Sequence, residues 1–311
     1  MDVNGDRSNF GLSHVTKVRG LVVPRAVALL PPRKAASDDF EGRFREIIAD
    51  PLNLLIERVP QAGCSDGTLV WLHNGLQVPV TKDYSYYGDF SRILVLNRGV
   101  HEPLEEYVFQ EVLKHVSHTP VMLELGAYWA HYSMWLKLRR PAATSIMVEP
   151  DARALEAGRR NFALNNFSGE FIQEAVGRGY FGVDAFAIAC DLGQLDILHA
   201  DIQGYEVEML AGASGLLTRH AISHLFVSTH SQELHGEVTS VLEGHGYRIE
   251  VSSDVEHETT SFDGFIYANS PNLRPLFANF HPLGRCEIAA ANPTTLLASL
   301  AFVHEREGET T

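Results

Sequence analysis

The sequence predicts an α/β fold, a doubly wound and mostly parallel seven-stranded sheet with an N-terminal α+β extension. Two observations carry this. From residue 121 onward, short apolar runs alternate five times with amphipathic helical stretches, a pattern that buries a parallel sheet between helical layers. The periodic part then ends on "YRIEVSS" and "FDGFIYA" with nothing helical between them, which predicts a final antiparallel strand pair.

The elements follow in order. Residues 1–37 lack a clear period and carry the break "PPRK", so they read as a partly extended arm. Residues 38–59 place Phe40, Phe44, Ile47, Ile48, Leu52 and Leu55 on a helical stripe interrupted at Pro51. In "TLVWLHNGLQVPV" two apolar segments flank Asn74-Gly75, the strongest short hairpin signal. "RILVLN" reads as a further strand and "EPLEEYVFQEVLKHV" as a helix. The alternating strands are "VMLEL", "TSIMVEP", "GEFIQEAVG", "LDILHADI" and "ISHLFVSTH". "GYEVEMLAGASGLLTRH" reads as one helix, and the tail carries one more at 293–303. The expected division is an extension over 1–97, acting as a lid or dimer interface, a main domain over 98–270 and a tail over 271–311.

Composition narrows the function. The 311 residues are 45% hydrophobic and 21% charged, enough for one sizeable core. The formal net charge of −14 argues against nucleic acid as main partner and against attraction to anionic membranes. Cys64, Cys190 and Cys286 are odd in number and far apart, which disfavours a disulfide framework or a thiolate zinc site. The N-terminus has no signal-peptide core, and "GLVVPRAVALLPP" is too short and too broken by Pro24 and Arg25 to span a bilayer. A soluble, cytoplasmic protein is expected.

Ligands of open parallel sheets bind at the C-terminal strand ends. The first strand ends in Glu124-Leu125-Gly126-Ala127, the second in Glu149-Pro150, the third near Glu174-Ala175-Val176, the fourth in Asp201 and the fifth in His230. A glycine lets backbone approach a ligand, and an acid ending the second strand can grip two ribose hydroxyls. Each feature alone also fits an ordinary turn or cap, and Asp151 already offers a cap to the helix after Glu149. Their joint occurrence at successive strand ends is what points to a cofactor.

Residues 98–268 resemble the FkbM family of S-adenosylmethionine-dependent methyltransferases. The residues that carry this are Glu102-Pro103 before a helix, "ELGAYWAHYS", "EPDARALEAGRRNFALNN", Ala175-Val176-Gly177 and "LHADIQGYE". The resemblance implies a class I, Rossmann-like methyltransferase sheet. It assigns Glu124, Gly126, Ala127, Tyr128 and Ser133 to the methionine part of the cofactor, Glu149 with Pro150 to the ribose, and Glu174 with Ala175 to the adenine. Asp201 would sit where sulfonium and acceptor meet. Expected chemistry is O-methylation of a hydroxyl on a sugar or other polar natural product. The chain departs from the family pattern at Tyr128, Ala130, His199 and Gln203.

Histidine is the natural base near neutral pH. Among 15 histidines, His230 paired with Asp201 is the expected base, with His131 a second catalytic candidate. A divalent metal held by Asp201, His230 and His235 is a further possibility. Two other functions are open at this level. One is a metal-dependent hydrolase built on His199, Asp201, His230 and His235; the other is an S-adenosylmethionine-binding protein that has lost catalysis. The expected partner is a hydroxylated small molecule, with neither nucleic acid nor membrane, in a possible homodimer.

Overall fold

The computed structural model describes residues 15–18, 21–24, 40–80, 91–278 and 280–306. Most of the expected N-terminal arm lies outside them. Within that arm β1 (Val15–Val18) and β2 (Leu21–Pro24) pair antiparallel. The extension continues with α1 (Phe40–Ala49), a 3-10 turn (Pro51–Leu54), β3 (Leu69–Trp71), β4 (Gln77–Pro79) and α2 (Arg92–Leu96), and α3 (Pro103–Leu113) follows it. The alternating part holds β5 (Val121–Leu125), α4 (His131–Arg139), β6 (Thr144–Val148), α5 (Ala152–Leu164), β7 (Glu170–Ile172), α6 (Val183–Ala189) and β8 (Leu195–Ala200). After these come α7 (Glu206–Ala211), α8 (Ser214–Thr218), β9 (Ile222–Thr229), α9 (Gln232–Gly244), β10 (Arg248–Ser253), β11 (Gly264–Asn269), α10 (Arg285–Ala290) and α11 (Pro293–Arg306).

β5 to β11 form one seven-stranded sheet in the order β10-β11-β9-β8-β5-β6-β7. β11 is antiparallel to both its neighbours, and the pairs among β5 to β9 are parallel. This is the expected doubly wound sheet. The chain builds outward from β5 through β6 to β7, then crosses back to β8. The crevice between β5 and β8 is therefore the switch point, where such sheets bind ligands.

Alternation sorts side chains onto two faces. Leu123, Leu125, Ile146, Val148, Leu198, Leu225 and Val227 pack with Met209, Leu216, Val238 and Leu242 beneath α7 to α9. Met122, Met147, Phe226 and Tyr267 turn the other way and meet Ile47, Leu52, Leu72, Val78, Phe109, Trp135 and Phe277. Extension, sheet and tail thus share one core. Phe109 of α3 lies at its centre, 5.0 to 5.3 Å from the rings of Tyr132, Trp135 and Phe226.

The β3–β4 hairpin forms around Asn74-Gly75 as expected, with Gly75 at φ +94°. Its inner face, Val70, Leu72, Leu76 and Val78, is buried. Asn165 of α5 clamps it by accepting from Gln77 N at 2.9 Å and donating to Gln77 O at 2.8 Å. "RILVLN" is a helix, not the expected strand. Ile93 and Leu94 are buried while Val95 and Leu96 are exposed, two adjacent in and two adjacent out, which is helical and not alternating. Gly99 ends that segment at φ +85°, and a Cβ there would lie 2.1 Å from His73 N. The single helix expected after the fourth strand is two, α7 and α8. Asp184 of α6 makes the break by accepting from Gly215 N at 2.7 Å and Leu216 N at 2.9 Å. In the tail α10 adds to the expected last helix.

Asn165→Ala removes the clamp and leaves partly buried hairpin groups unpaired. It should cost about 1–3 kcal/mol of stability, read by urea denaturation, with faster amide exchange at Gln77. Unchanged stability and exchange would show that the hairpin is held by packing alone.

Candidate active site

The loop after β5 is held from several sides. Gly126 takes φ +71°, and a Cβ on it would lie 1.7 Å from the carbonyl oxygen of Asp201. Glycine is required here by the close approach of the β5 and β8 tips. Gly126 N and Ala127 N both donate to Val148 O, at 2.9 and 3.1 Å. Tyr128 and Ala130 adopt the left-handed region, with φ of 41° and 62°. Gly158 of α5 leaves room for this turn, since a Cβ on it would lie 3.0 Å from Tyr128 O. Asn161 donates to Trp129 O at 3.1 Å.

Glu124 points inward and is 3% exposed. Its Oε2 accepts from Ser133 N at 3.2 Å, so it supplies the helix-terminal anion that the Ala130 cap cannot. Burial raises its pKa, partly opposed by the neighbouring His199. Strand alternation thus places the Glu124 carboxylate at the N-terminus of α4, beside the loop expected to meet the methionine part of the cofactor.

Glu149 ends β6. Its carboxylate accepts from Tyr128 N at 3.1 Å and Asp151 N at 2.9 Å, while Asp151 caps α5 by accepting from Arg153 N and Ala154 N. A carboxylate has about four acceptor positions, so two of Glu149's stay open to a diol. Burial raises its pKa, and the two backbone bonds oppose that. Glu174 is exposed beyond β7 and Ala175 half-buried. These tips fit the ribose and adenine side of an adenosyl ligand.

The tips of β8, β9 and β11 converge on His230. Its Nε2 lies 3.0 Å from Asp201 Oδ1 and 3.6 Å from Asp263 Oδ1, and its Nδ1 lies 2.9 Å from Glu206 Oε1. Gln203, at φ 56°, donates to Asp201 Oδ1 at 3.2 Å and sits 2.8 Å from the His230 ring. Burial disfavours charge on His230, but the bonds to Asp201 and Glu206 prevail and push its pKa up to about 10. Burial and the charge of Asp201 push Asp263 up to about 6. Glu102 stands near this group, bonded to Tyr132 Oη at 3.1 Å, and burial shifts its pKa upward.

The structure brings together Asp201 and His230 as expected, and the carboxylates on both ring nitrogens favour the charged form of His230. It does not bring in His235, whose ring nitrogens contact Thr229 and Ser252 at 2.9 Å each. His199 faces away, 2.5 Å from Glu105 and tilted against Tyr132. The hydrolase set of four is therefore not assembled. His131 is 2% exposed and looks into the extension, because α4 turns it away from the strand tips. Asp201, His230 and Asp263 set ligand-type atoms within 4.8 Å of one another. Both His230 nitrogens already face carboxylates, so a cation there would have to displace protons. Sequence reasoning missed Asp263, Glu206 and Glu102. Each had a signal: Asp263 stands in "FDGFIYA" just before the last strand, Glu206 closes "QGYE", and Glu102 precedes Pro103.

Residues 183–249 match the model of the Methyltransferase FkbM domain. The match runs from α6 into β10 and contains Asp201, Glu206 and His230. It is narrower than the span over which the motifs were read. No curated protein matches the chain. Among solved structures the chain is similar to a precorrin-6y C5,15-methyltransferase from Geobacter metallireducens GS-15, at 18% identity over 52% of this chain and 87% of that one, with a TM-score of 0.38. It is also similar to TrmK of M. capricolum in complex with S-adenosylhomocysteine, at 14% identity over 64% and 83%, TM-score 0.38. A third is a SAM-dependent methyltransferase from Aquifex aeolicus, at 13% identity over 52% and 89%, TM-score 0.35. No helix among the described residues is long and apolar enough to cross a membrane.

The His230 shift has a sign. Its folded pKa of about 10 lies above the ordinary 6.5, so its charge stabilises the fold fully below about pH 6.5 and loses that effect as pH rises through about 10. The stability gap between the wild type and His230→Gln should shrink over that interval in urea titrations. A gap constant from pH 6 to 10 would refute the imidazolium.

Proposed function

We propose that this chain, which carries a Methyltransferase FkbM domain over residues 183–249, transfers a methyl group from S-adenosylmethionine to a hydroxyl of a sugar or another polar small molecule. The observation that supports this most is the Asp201–His230–Asp263 group, set at strand tips beside the crevice where Gly126 meets Asp201. Bound S-adenosylmethionine supplies an electrophilic methyl carried by a good leaving group. The protein's tasks are then to hold the acceptor oxygen in line and to take its proton.

In this reading Asp263 takes that proton. Its pKa of about 6 leaves it ionised at neutral pH yet basic enough to help. His230 is the fixed cation that keeps Asp201 and Asp263 ionised side by side. Glu149 offers its two open acceptor positions to the ribose hydroxyls. The polar loop 254–263 faces the acceptor and is held by α1. Arg43 donates to Ser261 O at 3.0 Å, and Thr260 donates to Asp50 at 2.7 Å.

Calorimetry with S-adenosylmethionine and S-adenosylhomocysteine, followed by a labelled-methyl screen of hydroxylated metabolites, tests the reading. Binding of neither nucleoside overturns it, and binding without transfer to any hydroxyl leaves only a cofactor-binding protein. Once an acceptor is found, Asp263→Asn should lower kcat by about 10²- to 10⁴-fold with S-adenosylhomocysteine affinity unchanged. It should also abolish the acid limb of the pH profile near 6. Full activity of Asp263→Asn removes it as the base.

A further inference from the structure

On the far side of α4 from the strand tips lies a second histidine–carboxylate cluster that the proposed reaction does not use. His73, Glu106 and His131 are 0%, 0% and 2% exposed. They come from three separate elements: the β3–β4 turn, α3 and the first residue of α4. One ligand-type atom from each lies within 4.8 Å of those of the other two.

The hydrogen bonding of this cluster is incomplete in a particular way. His73 Nδ1 lies 3.2 Å from the carbonyl oxygen of Glu57, a contact that places a proton on Nδ1. Its Nε2 faces Glu106 Oε2 at 3.1 Å, a contact that either a proton or a metal ion bridges. The other oxygen of Glu106 is fully used, taking His101 N at 2.7 Å, Glu102 N at 3.0 Å and His101 Nδ1 at 2.7 Å. Glu106 is thereby oriented with a single oxygen left for the cluster. His131 has no hydrogen-bond partner at either ring nitrogen. Leaving a buried polar group unpaired costs about 1–3 kcal/mol, so a wholly unpartnered buried imidazole calls for a ligand.

We infer that His73, Glu106 and His131 form a buried site for a divalent transition metal, zinc by its chemistry, that staples the N-terminal extension to the start of α4. Two imidazoles and one carboxylate suit tetrahedral zinc. Bonds of about 2.0 Å would set the ligand atoms about 3.3 Å apart, a contraction of about 1.5 Å at most from the 4.8 Å within which they now lie. His101 on the second Glu106 oxygen and the Glu57 carbonyl on His73 are the outer partners such sites use to orient their ligands. The walls are aromatic: Trp129 stacks on His131 at 4.9 Å and Trp135 meets His73 edge-on at 4.4 Å. This inference does not rest on the methyl-transfer reading, since none of its residues reaches the strand tips.

The test uses the full chain produced in zinc- or cobalt-supplemented medium and purified without chelators. Roughly one metal per chain is expected, and X-ray absorption of the wild-type protein should show two imidazoles in the first shell. Cobalt-loaded protein should show the visible spectrum of a tetrahedral ion. His131→Phe and His73→Gln should each lose the metal and its thermal stabilisation, while His230→Asn keeps both. Absence of metal from the wild-type protein overturns the inference. So does an absorption spectrum with a single imidazole, which would locate the ion at Asp201, His230 and Asp263. Full metal retention in a folded His131→Phe protein overturns it as well. The absorption measurement needs no variant, so a variant that fails to fold leaves the test intact.

Discussion

The contact between the tips of β5 and β8 sets the geometry of everything at the strand ends. Gly126 approaches the Asp201 carbonyl so closely that a Cβ would lie 1.7 Å away, and Asp201 N donates to Leu125 O at 3.0 Å. No other residue type fits between these two backbones without moving one strand. The approach fixes Asp201, and through Asp201 the side chain of His230. It also starts the left-handed turn that carries the chain over to α4. Left-handed backbone costs a non-glycine residue about 1–2 kcal/mol, so Tyr128 and Ala130 need compensation. Glu149, Asn161 and the gap at Gly158 provide it.

The acidic charge of the chain has an interior counterpart. Buried carboxylates are costly unless paired, and this fold pairs them with histidine. His101 meets Glu106, His199 meets Glu105, and His230 meets Asp201 and Glu206. The resulting layer runs from the extension through α3 to the strand tips. It explains why α3, buried on nearly every side, tolerates Glu105, Glu106 and Gln110 in its interior. α3 and the turn before it supply the partners that make a polar seam in the core possible.

That seam also separates two kinds of histidine. His230 lies within a ring of carboxylates that favour its charged form. His131 lies among aromatic rings and other histidines, where burial disfavours charge. Both sit next to a sheet terminus, and only the direction each helix or strand presents its side chain gives them opposite chemistry.

The alternation after residue 121, the final strand pair and the Asn74-Gly75 turn were legible because each is a local pattern: period, turn preference and apolar run length act within a few residues. The same holds for Glu149 and Asp201, which stand at strand ends wherever the strands end. The helical state of "RILVLN" was not legible, since an unbroken apolar run suits either element until packing selects which residues face inward. The bond from Ser133 N to Glu124 was not legible either, because it depends on where α4 packs against the end of β5. Asp263 and Glu206 joined His230 only through pairings between β8, β9 and β11, far apart in the chain. Local sequence determines which elements form, because propensity and periodicity are short-range. Which ionisable groups meet, and therefore their charge, is decided by tertiary contacts, because burial and Coulomb interactions act across space without regard to sequence separation.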